Sequence, residues 1–113
     1  MTKIKFFKNK DIYTGFECLG HAKYDDYGKD VLCAAISSLT QGCALGIIKV
    51  VGVNANITKK DEEGYIKLEL PKSLNEDKLR DSQLLIKTLI CNIKDLTKGY
   101  SKYIKMEVIE NVY

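Results

Sequence analysis

One histidine, one arginine and one proline occur among 113 residues. A lone histidine, His21, cannot furnish the ligand set of a zinc centre. The four cysteines (Cys18, Cys33, Cys43, Cys91) add no CxxC pair and no zinc-ligand spacing. No metal and no cofactor is therefore expected. The single arginine, Arg80, and lysines scattered along the chain form no basic stripe, so direct nucleic-acid binding is not expected either. With Pro71 as the sole proline there is no proline-rich linker. No repeat or low-complexity tract divides the chain, and residues 1–113 read as one domain.

Long uninterrupted apolar runs are also missing. Lys3, Lys5, Lys8 and Lys10 break up the N-terminus, so no signal peptide is expected. The longest apolar region, 31–53, contains Ser37, Ser38, Thr40, Gln41, three glycines and Lys49, and reads as too polar to span a bilayer. No membrane partner is expected. Free thiols in a reducing cytoplasm are the corresponding localisation.

The remaining composition is that of a folded protein: 45% apolar, 29% charged, net charge +3 from 18 basic and 15 acidic residues. Period-two alternation predicts a strand over Lys3–Phe7, a turn at Asn9-Lys10-Asp11, and a second strand over Ile12–Leu19 with Thr14, Phe16 and Cys18 on one face. A loop follows from Gly20 to Gly28. A long helix is predicted from about Lys29 to Val53, apolar on all sides, with Gly42 and Gly46 placed to allow close approach of a neighbour.

Strands at Ile57–Lys60 and Tyr65–Leu70 flank a turn at Asp61–Gly64, and Pro71 ends the second of them. A second helix, capped by Ser73 or Asn75, runs to about Lys98 with Leu85, Leu89, Ile93 and Leu96 inward and Gly99 closing it. The last strand, Tyr103–Val112, sets Ile104, Met106 and Val108 inward. The order is ββαββαβ, an α+β two-layer sandwich of a mostly antiparallel sheet with two helices on one face.

His21 and Cys33 stand out from this frame. A thiol becomes a nucleophile when a base and an electropositive site assist it. Cys33 is expected in the first turn or so of the long helix, where unpaired N–H groups favour an anion and, Cys33's own among them, could hold an oxyanion. His21 sits where the second strand gives way to the glycine-bounded loop, which can fold back over the helix start. Asp30 and Ser37 lie one turn to either side of Cys33 and can share its face. Asp30 could orient His21, or simply complement the helix dipole; Ser37 could donate to the thiolate or to substrate, or bond back to its own helix. Cys18, Cys43 and Cys91 read as core. A noncatalytic peptide- or ribosome-binding module and a thiol sensor are the other classes open on these residues.

Gly20-His21-Ala22, then Gly28-x-Asp30-Val31-Leu32-Cys33-Ala34-Ala35-Ile36-Ser37, resembles the signature of the ribosomal-processing cysteine protease Prp family. The likeness extends over the whole chain in length and element order. It implies a homodimeric cytoplasmic endopeptidase of low-GC Gram-positive bacteria. That enzyme removes the N-terminal extension of a large-subunit ribosomal protein (the twenty-seventh) after a hydrophobic, aromatic-rich segment. The family's catalytic histidine falls on His21 and its nucleophile on Cys33. Its motif glycine, aspartate and serine fall on Gly20, Asp30 and Ser37.

Overall fold

The computed structural model describes residues 1–20 and 27–112, with the backbone alone at 27–30. Strands β1 (Thr2–Asn9), β2 (Ile12–Leu19), β3 (Asn56–Lys60), β4 (Tyr65–Glu69) and β5 (Ile104–Ile109) form one sheet in the order β3-β4-β2-β1-β5. Three pairings are antiparallel, and β5 runs parallel to β1. Helices α1 (Tyr27–Leu45) and α2 (Glu76–Tyr100) complete the expected ββαββαβ order.

Alternation decides which sheet face is covered. Thr2 and Ile4 of β1 register with Ile104 and Met106 of β5, and Phe6 follows on the same face. Phe16 and Cys18 of β2 register with Leu68 and Ile66 of β4. These residues, Met106 partly excepted, are buried, with Phe6 and Phe16 meeting at 6.3 Å between ring centroids. The opposite face carries cross-strand neighbours of opposite charge, Lys5 beside Glu17 and Glu107, and Glu17 beside Lys67. Such pairs favour that register and keep the face wet.

Several expectations shift. The first helix is not continuous from 29 to 53. It begins at Tyr27, and after Leu45 it widens into a π-helical stretch, Gly46–Val51, closed by Gly52 at φ 82°. Of the paired glycines only Gly46 is closely approached among the described residues: a Cβ there would lie 3.1 Å from Leu85 Cδ1, whereas a Cβ at Gly42 would meet no described atom within 4 Å beyond its own helix. The run Val31–Val51 is in fact long and apolar enough to cross a membrane by length and composition (mean hydropathy 1.8). Its polar residues are too few to exclude that on composition. Leu32, Ile36, Cys43, Ala44 and Ile47 are instead committed to the core.

Asn75 caps α2, its side chain accepting from Lys78 N–H at 2.8 Å. Gly99 does not close that helix, which continues to Tyr100 with Ser101 as its cap; Tyr103 N–H then returns to the Tyr100 carbonyl. The buried stripe is Ser82, Ile86, Leu89, Ile90 and Ile93, with Leu85 and Leu96 at its margins. Cys91 is exposed rather than core, since it shares the solvent stripe with Leu84, Thr88 and Asp95. At the sheet edge Val108 is also exposed.

In β2, Thr14 departs from the Phe16–Cys18 alternation because the register shifts between Phe7 and Lys8, leaving Thr14 unpaired in the β1 ladder. Buried Gln83 repairs the gap: its Oε1 accepts from Tyr13 N–H and its Nε2 donates to Tyr13 carbonyl, both at 2.8 Å.

Candidate active site

The N-terminal half of α1 crosses the end of the sheet where β1 begins and β2 ends. The space between them is a cavity of about 270 Å³. Cys33, Ser37 and Thr40 line it from the helix, Thr2 and Cys18 from the sheet, and Gly20 from the strand end that leads to His21. Cys33 is half-buried, and its Sγ lies 3.8 Å from Thr2 Oγ1.

Three of the five expected site residues, Gly20, Cys33 and Ser37, therefore meet at one cavity. His21 lies outside the described residues, as do the side chain of Asp30 and the loop positions 23–26. One electrostatic expectation changes. Because α1 starts at Tyr27, Cys33 is its seventh residue, past the first turn whose N–H groups lack helical partners. Cys33's own N–H belongs to the helical ladder and is not a free oxyanion donor.

Gly20 has a steric reason to be glycine. A Cβ at that position would lie 2.5 Å from Thr2 Cγ2 and 2.6 Å from Thr2 Cα. The bare backbone lets the end of β2 press onto the start of β1, and Gly20 N–H donates to the Gly64 carbonyl at 3.3 Å. Thr2 is itself pinned, 5% exposed, with its N–H donating to the Tyr103 carbonyl at 2.8 Å.

Ser37 is exposed on the helical face of Cys33, one turn on. Its Oγ accepts from Gln41 Nε2 at 2.6 Å. Gln41 Oε1 accepts from Lys59 Nζ at 2.9 Å, and Lys59 pairs with Asp61 at 3.4 Å. A polar chain thus ties α1 to the end of β3 along the cavity wall. Ser37 binds a neighbouring side chain, while the back-bond expected of a helical hydroxyl is made by Thr40, to the Ile36 and Ser37 carbonyls.

The other thiols are separated from Cys33 by environment. Burial pushes Cys18 up to about 12, with the neighbouring Cys33 and Glu17 acting in the same direction. Burial alone pushes Cys43 up to about 12. Both stay protonated near neutrality. Cys91 is exposed and away from this cavity. Among the described residues no group of three or more His, Cys, Asp or Glu side chains could hold a metal ion.

Thr2, Gln41 and Lys59 were not legible as site residues. Thr2 lies just ahead of the strand expected over Lys3–Phe7, and the contact that matters joins residues 31 apart. Gln41, one turn beyond Ser37 on the helix, was the one with a local signal.

The α+β sheet-and-helix layer sets one half-buried thiol in an open cavity, a placement compatible with the class of thiol enzymes. The family model for cysteine protease Prp matches residues 1–105. The chain belongs to that cysteine protease family.

A Bacillus subtilis ribosomal processing cysteine protease Prp is 26% identical over 91 residues, 80% of this chain and 81% of the relative. The Staphylococcus aureus protein of the same name is 24% identical over 87 residues, 77% of this chain and 78% of its own length. A crystal structure from Streptococcus mutans superposes with TM-score 0.86 at 22% identity, covering 98% of this chain and 96% of that one. The S. aureus ribosomal processing protease Prp in complex with a substrate peptide superposes with TM-score 0.82 at 20% identity, covering 96% and 99%. The two superpositions establish the same fold.

Proposed function

We propose that this chain is a cysteine endopeptidase that removes the N-terminal extension of the twenty-seventh protein of the large ribosomal subunit, cutting after a hydrophobic, aromatic-rich segment. The observation that carries the reading is the placement of Cys33. Of four cysteines it alone is neither sealed in the core nor remote from the cavity that adjoins Gly20. Family membership supplies the reaction class. The relatives' name, and the S. aureus enzyme's complexes with a substrate peptide and with a covalently linked product peptide, support a peptide substrate of ribosomal origin.

In this reading His21 takes the proton of Cys33, and the thiolate sulfur attacks the scissile carbonyl carbon to give a tetrahedral intermediate. The C–N bond breaks as His21 returns the proton to the leaving amine. Water, deprotonated by His21, then attacks the thioester and releases the new C-terminal carboxylate with the thiol restored. Asp30 orients His21. Ser37, accepting from Gln41, keeps its own hydroxyl proton for an incoming peptide carbonyl.

Four free thiols fit a reducing cytoplasm. Exposed Val31, Leu45 and Val50 on the first long helix and its π-helical extension fit a homodimer, which light scattering would detect and a concentration-independent monomer would exclude.

The test is mass spectrometry of the extended ribosomal precursor incubated with the protein, with Cys33→Ala and with His21→Ala. One cut after the hydrophobic segment, lost in both variants, is expected. An intact precursor with folded, reduced wild-type protein would overturn the substrate. Cleavage surviving in Cys33→Ala would overturn the nucleophile.

A further inference from the structure

We infer that Thr2 is a positioning residue for the nucleophile: its buried hydroxyl donates a hydrogen bond to the Cys33 sulfur after the thiol loses its proton, and so holds that sulfur at the cavity wall. This rests on Cys33 being the nucleophile.

Thr2 Oγ1 and Cys33 Sγ are 3.8 Å apart, a separation at which either group can donate while both carry protons. A thiolate has no proton to give, so on ionisation the direction becomes O–H to sulfur. Charge-assisted bonds of this kind are shorter and stronger than neutral ones. Among the described residues Cys33 is the one side-chain partner of the Thr2 hydroxyl. A hydroxyl 5% exposed with no better use would be a cost, and valine would fill the same space without it.

The backbone carrying this hydroxyl is constrained from three directions. Thr2 N–H is bound to the Tyr103 carbonyl, Thr2 registers with Ile104 in the parallel β1–β5 pair, and Gly20 presses against its Cα and Cγ2. Gly20 precedes His21 in the chain. The same close contact that requires glycine at position 20 therefore sets the hydroxyl against the nucleophile and anchors the strand end that leads to the general base. Groups so fixed orient a reacting atom without reorganising during the reaction.

The experiment compares Thr2→Val, which keeps the shape, with Thr2→Ser, which keeps the hydroxyl. At fixed neutral pH, iodoacetamide alkylation of Cys33 is followed by site-resolved mass spectrometry, so that Cys91 does not contribute. Thr2→Val is expected to alkylate about tenfold more slowly, the fold-change equivalent to about 1.4 kcal/mol. Thr2→Ser should stay within about twofold of wild type, since the donor is retained. In peptide cleavage, Thr2→Val should lower kcat with KM unchanged, as expected for a contact that matters only once the thiolate forms.

A wild-type alkylation rate in folded Thr2→Val overturns the inference. Equal slowing in both variants also overturns it, because the hydroxyl retained in Thr2→Ser would then not have preserved the reactivity. Should Thr2→Val melt far below wild type, Thr2→Ala against Thr2→Ser makes the same comparison. Alkylation needs no peptidase turnover. Loss of the proposed ribosomal substrate would therefore leave this result standing, and a failed Thr2 test would leave the substrate standing.

Discussion

Replacing Gly20 by alanine tests whether the motif glycine acts through Thr2. The added methyl would lie 2.5 Å from Thr2 Cγ2 and 2.6 Å from Thr2 Cα, while carbon atoms in ordinary contact stand about 3.5–4.0 Å apart. The strand ends must separate by roughly 1 Å to accept it, and overpacking of this kind costs about 1–3 kcal/mol. For a chain of 113 residues, at about 4 °C per kcal/mol, calorimetry should record a melting temperature lower by about 4–12 °C. Cleavage at 25 °C, where the variant stays folded, should fall further than the folded fraction explains, because the movement carries Thr2 away from Cys33. A double-mutant cycle with Thr2→Ala isolates the contact. Truncation removes the clash with Cγ2 and Oγ1 but not with Cα, so the alanine at 20 should cost less, though still something, in the Thr2→Ala background. Melting of Gly20→Ala within about 1 °C of wild type, or an equal cost in both backgrounds, would refute the reasoning.

Gln83→Leu strips both partners from the Tyr13 peptide groups at the β2 bulge and should cost about 2–4 kcal/mol in urea unfolding, with an unchanged midpoint counting against the role given to that amide. Ser82→Ala should raise stability in urea unfolding by about 1 kcal/mol, since the fully buried Ser82 Oγ has no hydrogen-bond partner among the described residues. In native protein at pH 8, iodoacetamide should label Cys91 and leave Cys18 and Cys43 untouched, both being held as thiols by burial. Their folded-state values of about 12 lie above the ordinary 9, so the native state binds more protons than the unfolded one between those limits. Stability should be fully present below about pH 9 and fall as pH rises toward 12, with Tyr65, raised from 10 to about 12 chiefly by its hydrogen bond to Glu17, acting in the same direction. Chemical unfolding across that range would show it, and Cys18→Val with Cys43→Val should flatten the slope.

The elements were legible because their signals are local. Ile12–Leu19 is a strand by alternation, whereas the first helix, expected to run to about Val53, stops before Gly52, which takes φ 82°. What local signals could not carry was where one period gives way to another. The π-helical turn at Gly46–Val51 sets Gly46 beside Leu85, a residue 39 positions on, and nothing near Gly46 in the chain distinguishes it from Gly42. Cys91 was misplaced for a related reason: it stands one residue from buried Ile90 and two from buried Ile93, and a small error in helical phase turns its face from solvent to core.

The site divides along the same line. Cys33 and Ser37 are one turn apart on a helix, so spacing alone puts them together. Gly20 could be recognised as a motif position, but its reason is the Thr2 backbone, 18 residues earlier and on another strand. The parallel β1–β5 pair is what makes that reason possible. By binding Thr2 N–H to the Tyr103 carbonyl it locks the first strand residue in place from the far end of the chain. Cys33, one turn from Ser37, is thus backed by residues 2, 20 and 103. Substitutions that loosen the β1–β5 edge should therefore lower the reactivity of Cys33 before they lower the melting temperature. Lys105, exposed on that edge and registered with Lys3, is the place to begin, since Lys105→Pro removes a ladder donor without touching the cavity. Iodoacetamide labelling of Cys33 at wild-type rate in a Lys105→Pro protein whose β5 amides exchange freely would show that the reactivity of this thiol does not depend on this lock.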